Sequence, residues 1–516
     1  MKSAPTILLV NPPVAMPCEP PAGIARLAGA LRDNGLDCEV LDLSLACMLG
    51  QFDAGLNPDD RWSKRACKNR YRNLSAIRSS SLYPNADRYR RVVSDLGKFV
   101  ALAGGQSGCA LSLADFRDPE KSPLSSADLL ESAEKFTSNH FFDQFSTVLQ
   151  KTIERCRPDY VGISFSYLSQ ALSGFAVAGF VSRRYPQIQI VAGGGLMTSW
   201  MNSPRWNDPF SGLIDYCIKG AGEVELLQVA GSDGRTRLGR FDYRGFPLDD
   251  YLAPGRILPY AASYGCYWKK CRFCPDFAEN SCYLARTADE AVSELGGMIE
   301  IYRPTLVHLL DNAVSPALLR RLAEIRFDTS WYGFARFEKD LEDLDFCRAL
   351  KRSGCVLLKL GLESGSQQVL DRLDKGVPLE RASVVLNNLR RCGIATYVYL
   401  LFGTPPETEA DALMTLDFVR AHHESITFFN LAIFNMPVCG SAAEAGINRF
   451  SDGDLSLYGD FKHPHGWDRR QIRNFLQKRF RKDPLIRPIE LRSPGVFGSH
   501  HAPFLCGRTG RVSADR

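Results

Sequence analysis

Apolar residues along this chain fall into short unbroken runs separated by stretches of helical spacing. Ile7, Leu8, Leu9 and Val10 form one such run, the mark of a strand buried on both faces. Ile24, Leu27 and Leu31 then recur at helical spacing until Gly35 stops them. Further strands are predicted over 38–43, 160–165 and 188–192, with a helix over 170–184 between the last two. The second half repeats the alternation more regularly. Strands over 305–310, 329–335, 356–362, 395–402 and 426–434 alternate with helices over 287–301, 316–325, 341–353, 379–391 and 409–422.

This alternation predicts an α/β protein of two parallel parts. The first is a doubly wound, Rossmann- or flavodoxin-like sheet over 1–230, and the second a partial (β/α)6 barrel over 258–440. Residues 231–257 are polar, rich in Gly and Asp, and read as a linker; 441–516 reads as a small α extension. An insert at about 50–150 is too long for an ordinary crossover. Between 61 and 91 it sets ten Lys or Arg (Arg61, Lys64, Arg65, Lys68, Arg70, Arg72, Arg78, Arg88, Arg90, Arg91) against Asp87 alone. Such a run is read first as the solvated face of helices, with reception of phosphates or an acidic peptide as the alternative. An amphipathic helix over 136–153 is expected to pack the insert back on the sheet. A basic amphipathic helix over 467–482 leads to a tail with His500, His501 and Cys506, expected to cap the barrel mouth, and 507–516 is expected to be disordered.

Composition narrows the classes. Of 516 residues 45% are apolar, with no run long enough to span a bilayer and no signal-peptide pattern at the start, so a cytoplasmic protein without membrane association is expected. A net charge of +5 is too mild to call for nucleic acid, and sixteen cysteines are too sparse for a disulfide scaffold. Three of them nevertheless stand together in Gly265-Cys266-Tyr267-Trp268-Lys269-Lys270-Cys271-Arg272-Phe273-Cys274. Three thiolates hold three irons of a 4Fe-4S cluster and leave the fourth open. The other readings are a zinc knuckle, for which Cys282 or His308 is the nearest fourth ligand, and plain core packing.

The triad resembles that of the radical S-adenosylmethionine (SAM) superfamily, with Phe273 in the aromatic place before the last cysteine. The first gap is four residues where three are usual, and this form is similar to a variant in the cobalamin-associated branch. The resemblance implies that SAM binds the open iron and is cleaved by one electron to a 5′-deoxyadenosyl radical. It also implies an electron donor such as flavodoxin or ferredoxin, and a small-molecule or peptide substrate. Gly361-Leu362-Glu363-Ser364-Gly365-Ser366 and Gly403-Thr404-Pro405-Pro406-Glu407-Thr408 resemble the turns after the family's fourth and fifth strands. Phe273, Glu363, Ser364, Gly403 and Arg336 are therefore candidate SAM contacts. Arg336 is to pair with the SAM carboxylate or, as the alternative, with Glu338 or Asp340 at the surface, and Glu407 is to cap the next helix. Asn11-Pro12-Pro13, Ser164, Ser166 and Gly193-Gly194-Gly195 resemble a cobalamin-binding domain, without the Asp-x-His-x-x-Gly motif that ligates cobalt. Methyl transfer through cobalamin is then the expected reaction. Cobalamin-independent radical oxidation or rearrangement, and a non-catalytic metal-stabilised binding module, are the alternatives.

Overall fold

The computed structural model describes residues 5–234, 236–439, 448–449, 453–494 and 501–506. His500 and the tail 507–516 lie outside the described residues. The chain forms two compact units, residues 1–257 with 450–457, and 258–449 with 458–516.

In the first unit, strands β1 (Thr6–Asn11), β2 (Asp37–Asp42), β3 (Tyr160–Ser164), β4 (Gln189–Gly193) and β5 (Tyr216–Cys217) pair in the order β2-β1-β3-β4-β5, all parallel. This is the flavodoxin-like order, and the direction of winding reverses between β1 and β3. The carboxyl ends of those two strands, Asn11 and Ser164, therefore flank the switch point where such sheets take ligands. The insert contributes helices Arg61–Ile77 and Ala86–Gln106. Its basic run divides. Arg61, Lys64, Arg65, Lys68, Arg72, Arg88 and Arg91 are exposed, Arg65 while pairing with Asp95 at 2.6 Å, whereas the Nε of the half-buried Arg70 donates to the Phe52 carbonyl at 2.8 Å.

Two expectations fail in this unit. The helix over 136–153 is broken into a 3-10 turn, Phe136–Ser138, and a helix, Phe142–Cys156. The Asn139 carboxamide accepts the Phe141 N–H at 3.0 Å, a local turn that competes with helix. The segment 231–257 is not a free linker. Gly239 and Arg240 lie so close on helix Ala22–Asp33 that a Cβ at Gly239 would come 2.2 Å from the Arg26 carbonyl oxygen. Tyr243, Tyr251 and Leu252 are buried, and the Tyr251 hydroxyl donates to Asp42 at 2.6 Å. Its aromatic residues hold this polar segment down.

In the second unit, β6 (Ile257–Tyr260), β7 (Leu306–Leu309), β8 (Ser330–Ala335), β9 (Cys355–Glu363), β10 (Ala395–Phe402) and β11 (Phe428–Ile433) lie in strict chain order, with parallel registers from β7 to β11. Helices Ala288–Tyr302, Pro316–Ala323, Leu344–Arg352, Leu379–Arg391 and Glu409–Ala421 make the crossovers. This is the connectivity of a partial (β/α)6 barrel. The basic helix expected over 467–482 is shorter: Arg469–Phe475, capped by Asp468, passes into one π turn, Leu476–Phe480, and buries Trp467, Ile472, Phe475 and Phe480. Among the described residues of the tail, 501–506, His501 lies away from the mouth. The His501 ring packs 4.6 Å from Tyr397 and 4.5 Å from Phe428, a cross-strand pair at the amino ends of β10 and β11. Among the described residues no helix is long and apolar enough to cross a membrane.

Candidate functional site

The cysteine loop leaves the carboxyl end of β6. Ser263–Tyr264 pairs antiparallel with Leu284–Ala285 and closes the loop at its base. Gly265 takes a φ of +75°, and a Cβ there would lie 2.3 Å from the Cys282 carbonyl oxygen. Asp311, just after β7, accepts from the Ser263 hydroxyl at 2.5 Å and the Ala262 N–H at 3.2 Å, which ties the loop to the sheet. The four-residue gap holds Trp268. Its indole N–H donates to the Asp374 carbonyl at 3.0 Å, and its ring fills the space above Gly376, where a Cβ would meet it at 2.2 Å.

Cys271 is 9% exposed, while Cys266 and Cys274 are half-buried. Burial pushes the Cys271 thiol up against the opposing pull of Lys375 and Arg336, and burial pushes Cys274 up to about 11. Among the described residues no group of three or more His, Cys, Asp and Glu is placed to hold a single metal ion. Three cysteine thiols on one loop are, by their chemistry, the donor set that a cubane with one open iron takes. His308 is committed elsewhere: buried on β7, it stacks on Tyr332 at 4.2 Å with its Nε2 3.1 Å from Lys359 Nζ.

The expected SAM contacts divide in the structure. Glu363 ends β9 at a register shift with φ +68°, a backbone state rare outside glycine, and forms a buried ion pair with Lys375 at 2.7 Å. Lys375 Nζ also stands 5.4 Å from the centre of the Phe273 ring. Ser364 points elsewhere, its hydroxyl 3.3 Å from Thr415 Oγ1 and accepting from the Ser366 N–H. The two residues thus have different partners, Lys375 for Glu363 and Thr415 for Ser364. Arg336 is 6% exposed, and of the two expected acidic partners it forms an ion pair with Glu338, which is itself half-buried. It lies 3.5 Å from Glu338, stacks at 4.1 Å on Trp268, donates to the Lys375 carbonyl and reaches Cys271 Sγ at 3.9 Å. Asp340 pairs with Arg320 instead. Lys375 escapes a sequence reading, and so do the contacts of Trp268 with Gly376 and of Glu338 with Tyr267, because each forms with a different loop. The one local hint is the turn Asp374-Lys375-Gly376.

After β10, Gly403 adopts φ +80° with its N–H donated to Glu407. Glu407 does not cap the next helix. Thr408 does, accepting from Asp411 N–H, while the Glu407 carboxylate turns inward and accepts the Trp467 indole N–H at 3.2 Å. Glu407 is fully buried, and burial lifts its carboxyl from 4.5 to about 8. The protonated acid is the form the fold favours. Its contribution to stability is thus complete below pH 4.5 and is lost as pH rises through about 8. Glu407→Gln is expected to flatten this dependence, checked by thermal unfolding across that window; an unchanged slope would contradict the assignment.

In the first unit, Asn11 and Pro12 belong to a buried network. Asn11 Nδ2 donates to Asp42 at 2.9 Å, and Gln170 Nε2 donates to Asn11 Oδ1 at 2.8 Å and to the Pro12 carbonyl at 2.9 Å. The side-chain Oε1 of Gln170 accepts the Ser166 and Tyr167 N–H groups, so the loops after β1 and β3 are locked together. Ser164 is half-buried and Ser166 exposed. Gly194 stands at φ +101°, where a Cβ would lie 2.4 Å from the Phe165 carbonyl oxygen; Gly195 has nothing within 4 Å. The three glycines add no side chain of their own to the floor at the carboxyl edge; a Cβ at Gly193 would touch Ile218 at 3.8 Å, and of the three only Gly195 borders open space. The single histidine of residues 1–257, His140, sits in the insert with its Nε2 2.9 Å from Gln51.

No family model matches the chain. Its fold is similar to that of the radical SAM methyltransferase TsrM from Kitasatospora setae, solved with tryptophan substrate and a SAM analogue: TM-score 0.53, 17% identity, 86% of this chain and 77% of that one. A structure of TsrM with cobalamin and a [4Fe-4S] cluster gives a TM-score of 0.52 at 17% identity over 87% of this chain and 80% of that one. In sequence the chain is 22% identical over 312 residues to the uncharacterized methyltransferase PH0819 of Pyrococcus horikoshii, covering 53% of this chain and 66% of that protein. It is 32% identical over 81 residues to the bacteriochlorophyllide d C-12(1)-methyltransferase of Chlorobaculum tepidum, 16% of this chain and 18% of that protein. The matched stretches thus span less than two thirds of either relative. Taken with the two sheets and the cysteine loop, these likenesses show that the chain shares the fold of the cobalamin- and [4Fe-4S]-containing radical SAM methyltransferase TsrM.

Proposed function

We propose that this protein is a radical SAM enzyme that methylates an unactivated carbon of a small-molecule or peptide substrate with the help of cobalamin. Cys266, Cys271 and Cys274 would hold three irons of a 4Fe-4S cluster, and the floor at Gly193, Gly194 and Gly195 would receive the corrin. When bound, these groups supply the chemistry: one-electron cleavage of SAM to a 5′-deoxyadenosyl radical, and delivery of a methyl group. The chain's own side chains position and exclude. Lys375, beside Phe273 and paired with Glu363, is placed to meet the carboxylate of SAM, a role given to Arg336 on sequence grounds. Glu363 is left to meet an amino or hydroxyl group. At Gly403 the space that a Cβ would take is filled by Ile472, whose Cδ1 would lie 2.5 Å from it. The electron would come from a flavodoxin- or ferredoxin-class donor.

The observation that carries this reading is the cysteine loop. Three thiols stand at the carboxyl end of the first strand of a consecutive parallel sheet, with the innermost beside two buried cations. The commitment of Asn11 to Asp42 and Gln170 favours a second reading, in which the first unit is empty and the radical works without cobalamin. Anaerobic reconstitution followed by assay for 5′-deoxyadenosine with dithionite, and equilibrium titration with cobalamin, separates these. Nucleoside formed together with saturable cobalamin binding is expected. Nucleoside without binding would select the second reading, and silence with tightly held zinc would leave only a binding module.

A further inference from the structure

Arg336 was expected to reach the carboxylate of SAM, yet every edge of its guanidinium is already engaged around the cysteine loop. One face stacks on Trp268 at 4.1 Å, Nη2 donates to the Lys375 carbonyl, Nε lies 3.5 Å from Glu338, and Nη1 points at Cys271 Sγ from 3.9 Å. Glu338 in turn accepts the Tyr267 hydroxyl at 2.5 Å. Tyr267, Trp268 and Cys271 all belong to the same loop, so one side chain from the end of β8 braces that loop at two points directly and at a third through Glu338.

We infer that Arg336 is a positioning residue that sets the reduction potential of the cluster and does not bind SAM. This rests on the reading of Cys266, Cys271 and Cys274 as its ligands. Reduction adds one electron, taken from an external one-electron donor, and the added negative charge spreads onto the sulfurs. An N–H donor carrying positive charge beside a ligating sulfur favours the reduced state, and hydrogen bonds to the sulfurs are among the factors that set such potentials. At 6% exposure the interaction is weakly screened. Glu338 opposes it, being of the other sign and within reach of the same guanidinium, so the two residues should move the potential in opposite directions. The planar fork is what allows stacking and three-way donation at once; a lysine would keep the charge and lose the geometry.

The test uses the full chain, reconstituted anaerobically with iron and sulfide, its potential read by electron paramagnetic resonance during dithionite titration. Arg336→Gln is expected to shift the reduced-to-oxidised ratio at a fixed potential at least tenfold toward oxidised, about 59 mV downward for a one-electron couple. Arg336→Lys should fall between the two, and Glu338→Gln should shift upward. An unchanged or raised potential in Arg336→Gln with the cluster intact would overturn the inference. If Arg336→Gln does not hold iron, Glu338→Gln decides, because it keeps the guanidinium: an upward shift supports the inference and no shift overturns it. A wild-type chain that binds no cubane refutes the functional reading itself, an outcome distinct from these.

Discussion

Cys271→Ala is expected to remove the iron-sulfur chromophore and reduce 5′-deoxyadenosine formation to background. Of the three loop cysteines it is the most buried, and both Arg336 and Lys375 act on its thiol. An alanine there removes one of three thiolates and leaves the positive groups that the thiolate balanced. Two remaining thiolates do not hold a cubane with a single open iron. Cys282→Ala is the matched control. Cys282 is exposed, and the structure brings its main chain, through its carbonyl oxygen, against Gly265, so its loss should leave cluster and cleavage intact. Iron and sulfide analysis with chromatography of the nucleoside reads both variants. Retained cleavage in Cys271→Ala, or equal loss in Cys282→Ala, would sink the assignment of the loop as the ligand set.

The frame of strands was legible because its signals are local. Runs such as Ile7 to Val10 are apolar on both faces, and Gly35, Gly354 and Gly393 punctuate the helices that follow or precede them. Helices over 379–391 and 409–421 are marked by periodicity and by turns rich in Pro, Gly or Thr, and their ends fell within a residue of expectation. What was not legible depends on partners distant in sequence. The pattern places Arg336 just after the end of a strand but says nothing of the Trp268 ring some seventy residues earlier against which it stacks. Glu363 and Ser364 are adjacent in one motif, yet the left-handed backbone at Glu363, where the strand ends, gives them different partners, Lys375 and Thr415. Glu407 looked like a helix cap because acids are common there. The indole of Trp467, supplied by the C-terminal extension, gave it a buried partner instead. Composition made residues 239–253 look like a linker, since four aromatic residues among Gly, Asp and Arg carry no periodicity. Only the groove on helix Ala22–Asp33 shows why they fold down.

Gly194→Ala carries the second large effect, and it tests the first unit independently of the cluster. Gly194 has φ +101° and ψ 173°, a combination open essentially to glycine alone. Strain of about 1–3 kcal/mol is expected for any other residue held there. The clash adds to it, since the Cβ would lie 2.4 Å from a backbone oxygen, Phe165 O, which has no rotamer by which to yield. The turn from β4 into helix Gly195–Asn202 must therefore move, and the floor beside Ser164 and Ser166 moves with it. Cobalamin affinity should fall on the order of 100-fold, equivalent to about 2.8 kcal/mol, with a lower unfolding temperature and unchanged iron content. Gly195→Ala separates strain from contact. No atom lies within 4 Å of the added methyl and the backbone there is ordinary, so the fold should tolerate it. A corrin lying on the floor would meet that methyl directly. Weakened binding in Gly195→Ala at wild-type stability thus places the ligand on the glycines, and wild-type affinity in both variants would remove cobalamin from this site.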